Sequence, residues 1–385
     1  MQSSYADLSS SITILQKNDA LLKNKILGLP AGIKYKDRIL EYFEQSLSIA
    51  NSSTCNYTGE RTGKVTSMLR LLWEVEFEKG KTFQVFKDFE ELENVFFDLE
   101  KYRGHYVHQF NVFLLGYYVV NKFAEYREAF QTFKNSSNDP IFTWVLASTF
   151  HDMGYPIEKM DEWFERYLDM FLKVKLPYKI EIERLLTPVF FEYVKYLSET
   201  HLNLGLGRCT PFGQETNRDW NFHNVLLMNL RKKDHGVISA LLLIHSLFTQ
   251  EELAKKQDWF YGTFPRDIMP ACHAISLHNL QEKNLKIGYK KYPFAFLLRL
   301  CDELQDWGRS KAGYDQSELV EFEIKNEGDI PTISSTLKVN DSFFEQKAKS
   351  INFLCDQLQT DGLLRVVISL KSKGNDSNYR TFAFP

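Results

Sequence analysis

The chain has few cysteines, no long apolar run and almost no net charge, and each shortage excludes a class of protein. The cysteines are odd in number and widely spaced, with no CxxC pair, so we expect neither a disulfide framework nor a thiolate zinc site. The longest apolar run, Val112 to Val120, spans nine residues, whereas a membrane-spanning helix needs about 20. We therefore expect no membrane partner. The cysteines are Cys55, Cys209, Cys272, Cys301 and Cys355.

Charge of either sign is not in excess, because 47 Lys and Arg face 50 Asp and Glu. The chain as a whole thus lacks the polybasic signature of nucleic-acid-binding proteins, and we expect no nucleic-acid partner. The first residues, Met1 to Leu22, are rich in serine and lack the basic and apolar regions of a secretory signal. Together with the cysteine pattern, this favours a reducing, cytoplasmic location.

What the chain does have is enough length and apolar content for a large core. Its 385 residues suggest two or three domains, and 44% hydrophobic and 25% charged residues are typical of soluble globular proteins. Apolar residues recur every three or four positions through most of residues 36–308, which predicts helices. The polar, glycine-containing stretch 51–64 is predicted to be a loop.

After Gly313 the hydrophobic period changes from about 3.6 to 2, which indicates strands. Val320, Phe322 and Ile324 alternate with charged residues, and a second alternation covers 333–339. A helix with capping-box spacing at Ser342 follows, and two more strands are predicted at 363–371 and 379–384. We predict a mainly α protein with a small C-terminal α+β (ββαββ) unit, divided into a helical region 1–100, a core 101–312 and a C-terminal unit 313–385.

Chemistry is concentrated in histidines and acids on apolar helices. His151-Asp152 follows the apolar stretch 141–150 and precedes Gly154 and Pro156, which stop a helix. An imidazole and a carboxylate at one helix end can reach the same cation. A His-Asp dipeptide is common by itself, however, and a single histidine on an apolar face is most often a core residue.

Three more histidines and one aspartate occur along the chain, each on or at the start of an apolar helical stretch. With His151-Asp152 they form the order His, His-Asp, His, His, Asp. An ordered set carries far more weight than any one member. The additional positions are His108, His235, His278 and Asp302.

This ordered series resembles the HD superfamily of metal-dependent phosphohydrolases, helical proteins whose ligands come from separate helices facing one cavity. The resemblance covers roughly residues 100 to 312. It implies an HD-type helical bundle that cleaves a phosphoester or phosphoanhydride bond, in a nucleotide, with a metal-activated hydroxide. The implied metal ligands are His108, His151, Asp152, His235, His278 and Asp302, with Asp152 bridging two ions.

Mixed imidazole and carboxylate ligands suit Fe, Mn, Ni, Co or Zn, with Mg²⁺ as a further option. A pair of such ions lowers the pKa of a bridging water and neutralises phosphate oxygens, so no covalent protein nucleophile is needed. The chain agrees with this, since it has neither a G-x-S-x-G elbow nor a P-loop pattern. The expected partner is a nucleotide or another small phosphate compound, and the oligomeric state is left open.

Other residues near the series are weaker candidates. His105 shares a helix face with His108 and is a candidate for substrate contact, as are Arg103 and Arg309 for phosphate. His273 is expected in a supporting or core role, and Asp306 is a candidate to orient a ligand histidine. The catalytic candidates are therefore Asp152, His105 and Arg309. Structural or surface roles are expected for His201, His223 and His245.

Two departures from the compact members of the superfamily limit the assignment. The long gap between Asp152 and His235 indicates a helical insertion at about 157–230. Gly154-Tyr155-Pro156 follows the His-Asp pair after one residue, so it does not correspond to the GYP element of cyclic-di-GMP phosphodiesterases, which comes after the later histidines.

Two other functions stay open. One is a (deoxy)nucleoside triphosphohydrolase with a single metal held by His108, His151, Asp152 and Asp302, in which His235 and His278 contact phosphate. The other is a non-catalytic regulatory module that binds a nucleotide. Completeness of the ligand series argues against the second.

Overall fold

The structure is a computed structural model that describes residues 2–51, 57–76, 105–122, 140–173, 193–195, 197–198, 222–247, 268–281, 286–305, 317–327, 330–375 and 378–385. Within these ranges the protein is mainly helical, with a small sheet near the C-terminal end, as the sequence predicts. None of the helices in these ranges is both long and apolar enough to cross a membrane. The predicted domain boundaries stay a prediction.

Most of the described chain lies in α-helices. They are α1 Gln2–Leu27, α2 Lys36–Asn51, α3 Tyr57–Glu76, α4 His105–Lys122, α5 Pro140–Phe150, α6 Tyr155–Tyr167, α7 Phe222–Arg231, α8 His235–Leu247, α9 Met269–His278, α10 Pro293–Leu304 and α11 Asp341–Gln357. A short π-helical turn, Leu168–Leu172, continues α6.

The strands lie in the last third of the chain. They are β1 Ile287–Gly288, β2 Glu318–Glu327, β3 Ile330–Val339, β4 Leu358–Gln359, β5 Arg365–Ser372 and β6 Tyr379–Ala383. The helix-rich part thus contains one short strand, β1, that hydrophobic periodicity does not predict. It pairs in parallel with β4.

The chain divides into two compact units. The first contains α1 to α4, α5 as far as Thr149, and everything from Ile287 onward. The second runs from Phe150 to Lys286 and contains α6 to α9 among its described elements.

In the first unit, α1 to α4 pack around a core that encloses an ion pair. Arg61 Nη2 on α3 lies 2.9 Å from Asp19 Oδ1 on α1, and both side chains are almost fully buried. Ser46 on α2 and Asn111 on α4 complete the hydrogen bonds of this pair. Each buried charge therefore has a partner, which the low dielectric of a core requires.

A close approach joins α5 to α4. Trp144 Nε1 donates to the carbonyl oxygen of Phe113 at 2.9 Å, and the indole ring lies directly over Gly116. A Cβ on Gly116 would lie 1.9 Å from that ring, so only glycine fits there. This contact fixes α5, whose C-terminal end leads into His151-Asp152.

The C-terminal part forms a four-stranded sheet in the order β2-β3-β5-β6. β2 and β3 are antiparallel, β3 and β5 are parallel, and β5 and β6 are antiparallel. The parallel pair needs a crossover, and α11 supplies it by packing on β5 and β6. The observed ββαββ order agrees with the prediction, except that Asn340 is the N-cap of α11 and makes no side-chain cap hydrogen bond.

The alternation predicted for β2 is correct for only two of its three residues. Phe322 and Ile324 are buried, but Val320 is 42% exposed. The pairing of β2 with β3 shifts register between Leu319 and Glu321, and Leu319 is buried in place of Val320. A bulge reverses the side-chain alternation, and the period of the sequence does not reveal it.

The loop predicted at 51–64 is too long. α2 extends to Asn51 and α3 already begins at Tyr57, so Gly59 and Gly63 lie inside a helix. Gly63 is exposed with open space around it, a setting in which a helix tolerates glycine at a modest cost. Of the described residues in this stretch, those from Tyr57 onward belong to α3 and not to a loop.

Candidate metal centre

In the second unit, His151 and Asp152 lie in the tight turn between α5 and α6. The amide of Met153 donates to Phe150 O at 3.1 Å, and the amide of Tyr155 donates to Asp152 O at 3.0 Å. Pro156 occupies the second position of α6, where its missing N–H costs no hydrogen bond. Both His151 and Asp152 are buried. The turn holds an imidazole and a carboxylate side by side.

His235 is the first residue of α8, as predicted. Asp234 precedes it and caps the helix, because its Oδ1 accepts from the amide of Val237 at 3.0 Å. The Asn279 amide group donates to Asp234 Oδ2 at 3.0 Å and joins this cap to the end of α9. The start of α8 is thus fixed from two sides.

Two glycines allow the elements around the site to approach closely. A Cβ on Gly154 would lie 2.5 Å from His235 O, and a Cβ on Gly236 would lie 2.8 Å from Ile275 O and 2.9 Å from the His278 ring. The amide of Gly154 also donates to Ser239 Oγ at 2.7 Å. The glycines of His-Asp-Met-Gly and His-Gly therefore serve packing.

Three imidazoles face one carboxylate oxygen. Asp152 Oδ1 lies 3.4 Å from His235 Nε2, 3.6 Å from His151 Nε2 and 3.8 Å from His278 Nε2. The His278 ring lies 5.0 Å and 5.1 Å, centroid to centroid, from the rings of His151 and His235. Asp152, His235 and His278 form one of the groups whose ligand atoms lie within 4.8 Å of one another.

These separations suit a shared metal ion. Two ligand atoms that each lie about 2.1 Å from one ion at a tetrahedral angle are about 3.4 Å apart. The distances from Asp152 Oδ1 are close to this value and longer than an ordinary hydrogen bond. Imidazole nitrogen with carboxylate oxygen is a donor set for a divalent transition metal. The residues present thus fit the metal that the resemblance implies.

Two carboxylates place negative charge around His235. Burial opposes the charged imidazolium, but the hydrogen bonds and negative charges of Asp152 and Glu158 outweigh it and raise the pKa of His235 to about 10. Burial alone would raise the pKa of Glu158. The hydrogen bonds and charge of His235 and the charge of Lys159 outweigh burial, so the pKa of Glu158 is lowered. Negative charge concentrated in a buried place attracts cations.

In the first unit, His108 on α4 and Asp302 on α10 form a second group. His108 Nε2 lies 2.8 Å from Asp302 Oδ1, and the other ring nitrogen of His108 contacts the side-chain oxygen of Gln305. The adjacent Glu303 is held from α11, because its Oε1 pairs with Lys347 Nζ at 2.8 Å. Helix α11 therefore fixes the helix that carries Asp302.

The histidines of both groups share one hydrogen-bonding pattern. Nδ1 faces an oxygen acceptor: Gln305 Oε1 for His108, Glu158 Oε2 for His235 and Ile275 O for His278. Nε2 of each ring faces an aspartate that is itself a predicted ligand. Metal-ligating histidines are held in this way, since an N–H···O bond on one nitrogen orients the lone pair of the other.

Other predicted site residues have different outcomes. His105 is buried at the first position of α4, and its contact with substrate stays a prediction. Arg309, Arg103, Asp306 and His201 lie outside the described residues.

Of the remaining histidines, His273 is buried, and its Nε2 lies 3.2 Å from Leu197 O. Burial lowers the pKa of His273 to about 4, as expected for a core histidine. His223 and His245 contact Ser198 and Tyr193.

Sequence reasoning missed Glu158 and Gln305. Gln305 lies three residues after Asp302, as the C-cap of α10, and that spacing is visible in the sequence. Glu158 gives no comparable signal, because it meets His235 only through the packing of α6 against α8.

Comparison with known proteins adds nothing to these observations. No family model, no curated protein and no solved structure matches the chain. The similarity to the HD superfamily therefore depends on the ordered histidines and aspartates alone.

Proposed function

We propose that the protein is an HD-type metal-dependent phosphohydrolase that cleaves a phosphoester or phosphoanhydride bond, in a nucleotide. The observation that supports this best is the orientation of His108, His235 and His278. Each ring presents Nε2 to an aspartate while an oxygen acceptor holds Nδ1. In a metal-ligating histidine the N–H of one ring nitrogen donates to an oxygen acceptor, and the other nitrogen faces the ion and its remaining ligands.

The proposed ligands are Asp152 with His151, His235 and His278 in one unit, and His108 with Asp302 in the other. A divalent ion bound to these residues would supply Lewis-acid chemistry, polarising a phosphoryl oxygen and lowering the pKa of water. The chain's own contribution is to hold the imidazoles in one orientation. Burial of His151 and His278 also excludes bulk water from their nitrogens.

Orientation favours the two-metal form over the one-metal alternative. In the one-metal form, His235 and His278 contact phosphate and do not ligate. Their Nε2 atoms, however, lie as near to Asp152 Oδ1 as that of His151, within a span of 3.4 to 3.8 Å. The donor set accommodates Fe, Mn, Ni, Co or Zn, with Mg²⁺ as an option.

A hydrolysis screen, in which the nucleotide products are separated by chromatography, tests the proposal. Protein purified without chelator is assayed over nucleoside mono-, di- and triphosphates, cyclic nucleotides and dinucleotides, with Mn²⁺, Fe²⁺ or Mg²⁺. We expect turnover of at least one class, abolished by His235→Gln and unaffected by His245→Gln, which changes a histidine ten residues further along α8. Metal binding without turnover of any substrate would instead favour the regulatory module.

A further inference from the structure

Glu158 lies in the first turn of α6 and contacts His235 twice. Its Oε2 lies 2.5 Å from His235 Nδ1 and 3.3 Å from the backbone nitrogen of the same residue. Its Oε1 lies 3.6 Å from Lys159 Nζ. One carboxylate oxygen thus accepts from both the ring and the main chain at the start of α8.

This double contact determines which way the imidazole faces. With Nδ1 held toward α6, Nε2 faces Asp152 Oδ1 at 3.4 Å. The ring of Tyr155 packs edge-on against the imidazole, with 5.7 Å between centroids. A flipped ring would lose the bond to Glu158 and turn a carbon toward Asp152.

Asn279 does not provide an alternative acceptor. Its amide nitrogen lies 3.2 Å from His235 Nδ1, but the same nitrogen donates to Asp234 Oδ2 at 3.0 Å. The opposite orientation of this amide would place its oxygen against the Asp234 carboxylate. A donor cannot accept the Nδ1 proton, so Glu158 serves as its acceptor.

We infer that Glu158 is a positioning residue for metal binding: it keeps the proton of His235 on Nδ1 and leaves Nε2 as the ligating nitrogen. The inference rests on the proposed function, because it assigns to Glu158 a part in the affinity of the group formed by Asp152, His235 and His278. Glu158 acts through His235 and is not assigned a contact with substrate. Loss of such a partner weakens metal affinity by about 10–100-fold.

Cobalt binding provides the test. Chelator-treated protein is titrated with Co²⁺ alone, and the visible absorption spectrum reports the ligands around the ion. Glu158→Gln should bind Co²⁺ about 10–100-fold more weakly, with a spectrum shifted toward that of His235→Gln. The matched control is Glu165→Gln, which alters an exposed residue of the same helix and should leave affinity and spectrum unchanged.

Each outcome decides the inference. If Glu158→Gln binds Co²⁺ with the affinity and spectrum of the unchanged protein, the inference is wrong, even if its thermal midpoint falls, because Glu158 then serves only the fold. If Glu158→Gln does not fold, Glu158→Asp, which keeps the charge, should retain the spectrum with intermediate affinity; wild-type affinity would refute the inference. If the unchanged protein and Glu165→Gln bind no Co²⁺, the proposed function fails as well, a distinct result.

Discussion

Replacing Gly154 with alanine would place one methyl group between the turn that carries His151-Asp152 and the start of α8. The new Cβ would lie 2.5 Å from His235 O and 2.8 Å from Ile238 Cβ. The backbone of Gly154, with φ −83° and ψ −9°, is open to any residue, so only space is at issue. Because ordinary contact begins at 3.4 Å, the two elements must separate by roughly 0.9 Å.

This separation affects both stability and metal binding. Overpacking a close contact of this kind costs about 1–3 kcal/mol of unfolding free energy. Metal–ligand distances tolerate deviations of only about 0.2 Å, so a shift of His235 several times larger should weaken metal binding by at least about tenfold. The two effects are measured separately, by urea unfolding with chelator present and by Co²⁺ titration.

The matched control is Gly63→Ala on α3. A Cβ at Gly63 meets no atom within 4 Å, so the alanine should stabilise the helix by about 0.5–1 kcal/mol and leave metal binding unchanged. Gly154→Ala with the stability and Co²⁺ affinity of the unchanged protein would refute the argument that this glycine is required for the approach of α8.

Three further predictions concern other buried groups. His151→Ala and Asp152→Ala should each reduce hydrolysis at least about 100-fold, because each removes a proposed metal ligand, while the far-ultraviolet circular dichroism is kept because both residues lie in a turn between helices; full activity would contradict their role. Burial lowers the pKa of His273 from 6.5 to about 4, so the free energy of unfolding should be greatest above pH 6.5 and should fall by up to about 3 kcal/mol as the pH drops toward 4. Urea unfolding of His273→Gln should depend less on pH over this range. Arg61→Met leaves Asp19 as a buried unpaired charge and should cost about 3–5 kcal/mol by urea unfolding; a loss under 1 kcal/mol would contradict this.

Hydrophobic periodicity predicts the elements that carry the candidate ligands. The apolar stretches around His108, His235, His278 and Asp302 are all helical in the structure. The change of period after Gly313 likewise anticipates a sheet with one helix. These features are predictable because a helix or strand that buries one face has apolar residues at a regular spacing in its own sequence.

Features that depend on contacts between distant residues are not predictable in this way. The bulge that exposes Val320 arises from pairing with β3, and the serine-rich start of the chain lies in α1 although its composition does not suggest a helix. The orienting role of Glu158 arises because α6 packs against α8, 77 residues away in sequence. A single sequence shows which residues can bind a metal ion, but it does not show which neighbouring residues orient those ligands.

The number of metal ions bound per chain decides whether His235 and His278 are ligands. It is measured by elemental analysis of protein purified without chelator, in the unchanged chain and in His235→Ala, His278→Ala and the control His245→Ala. We expect about two ions per chain in the unchanged protein and the control, falling toward one in the two ligand variants. One ion in all four proteins, or none, would contradict ligation by His235 and His278.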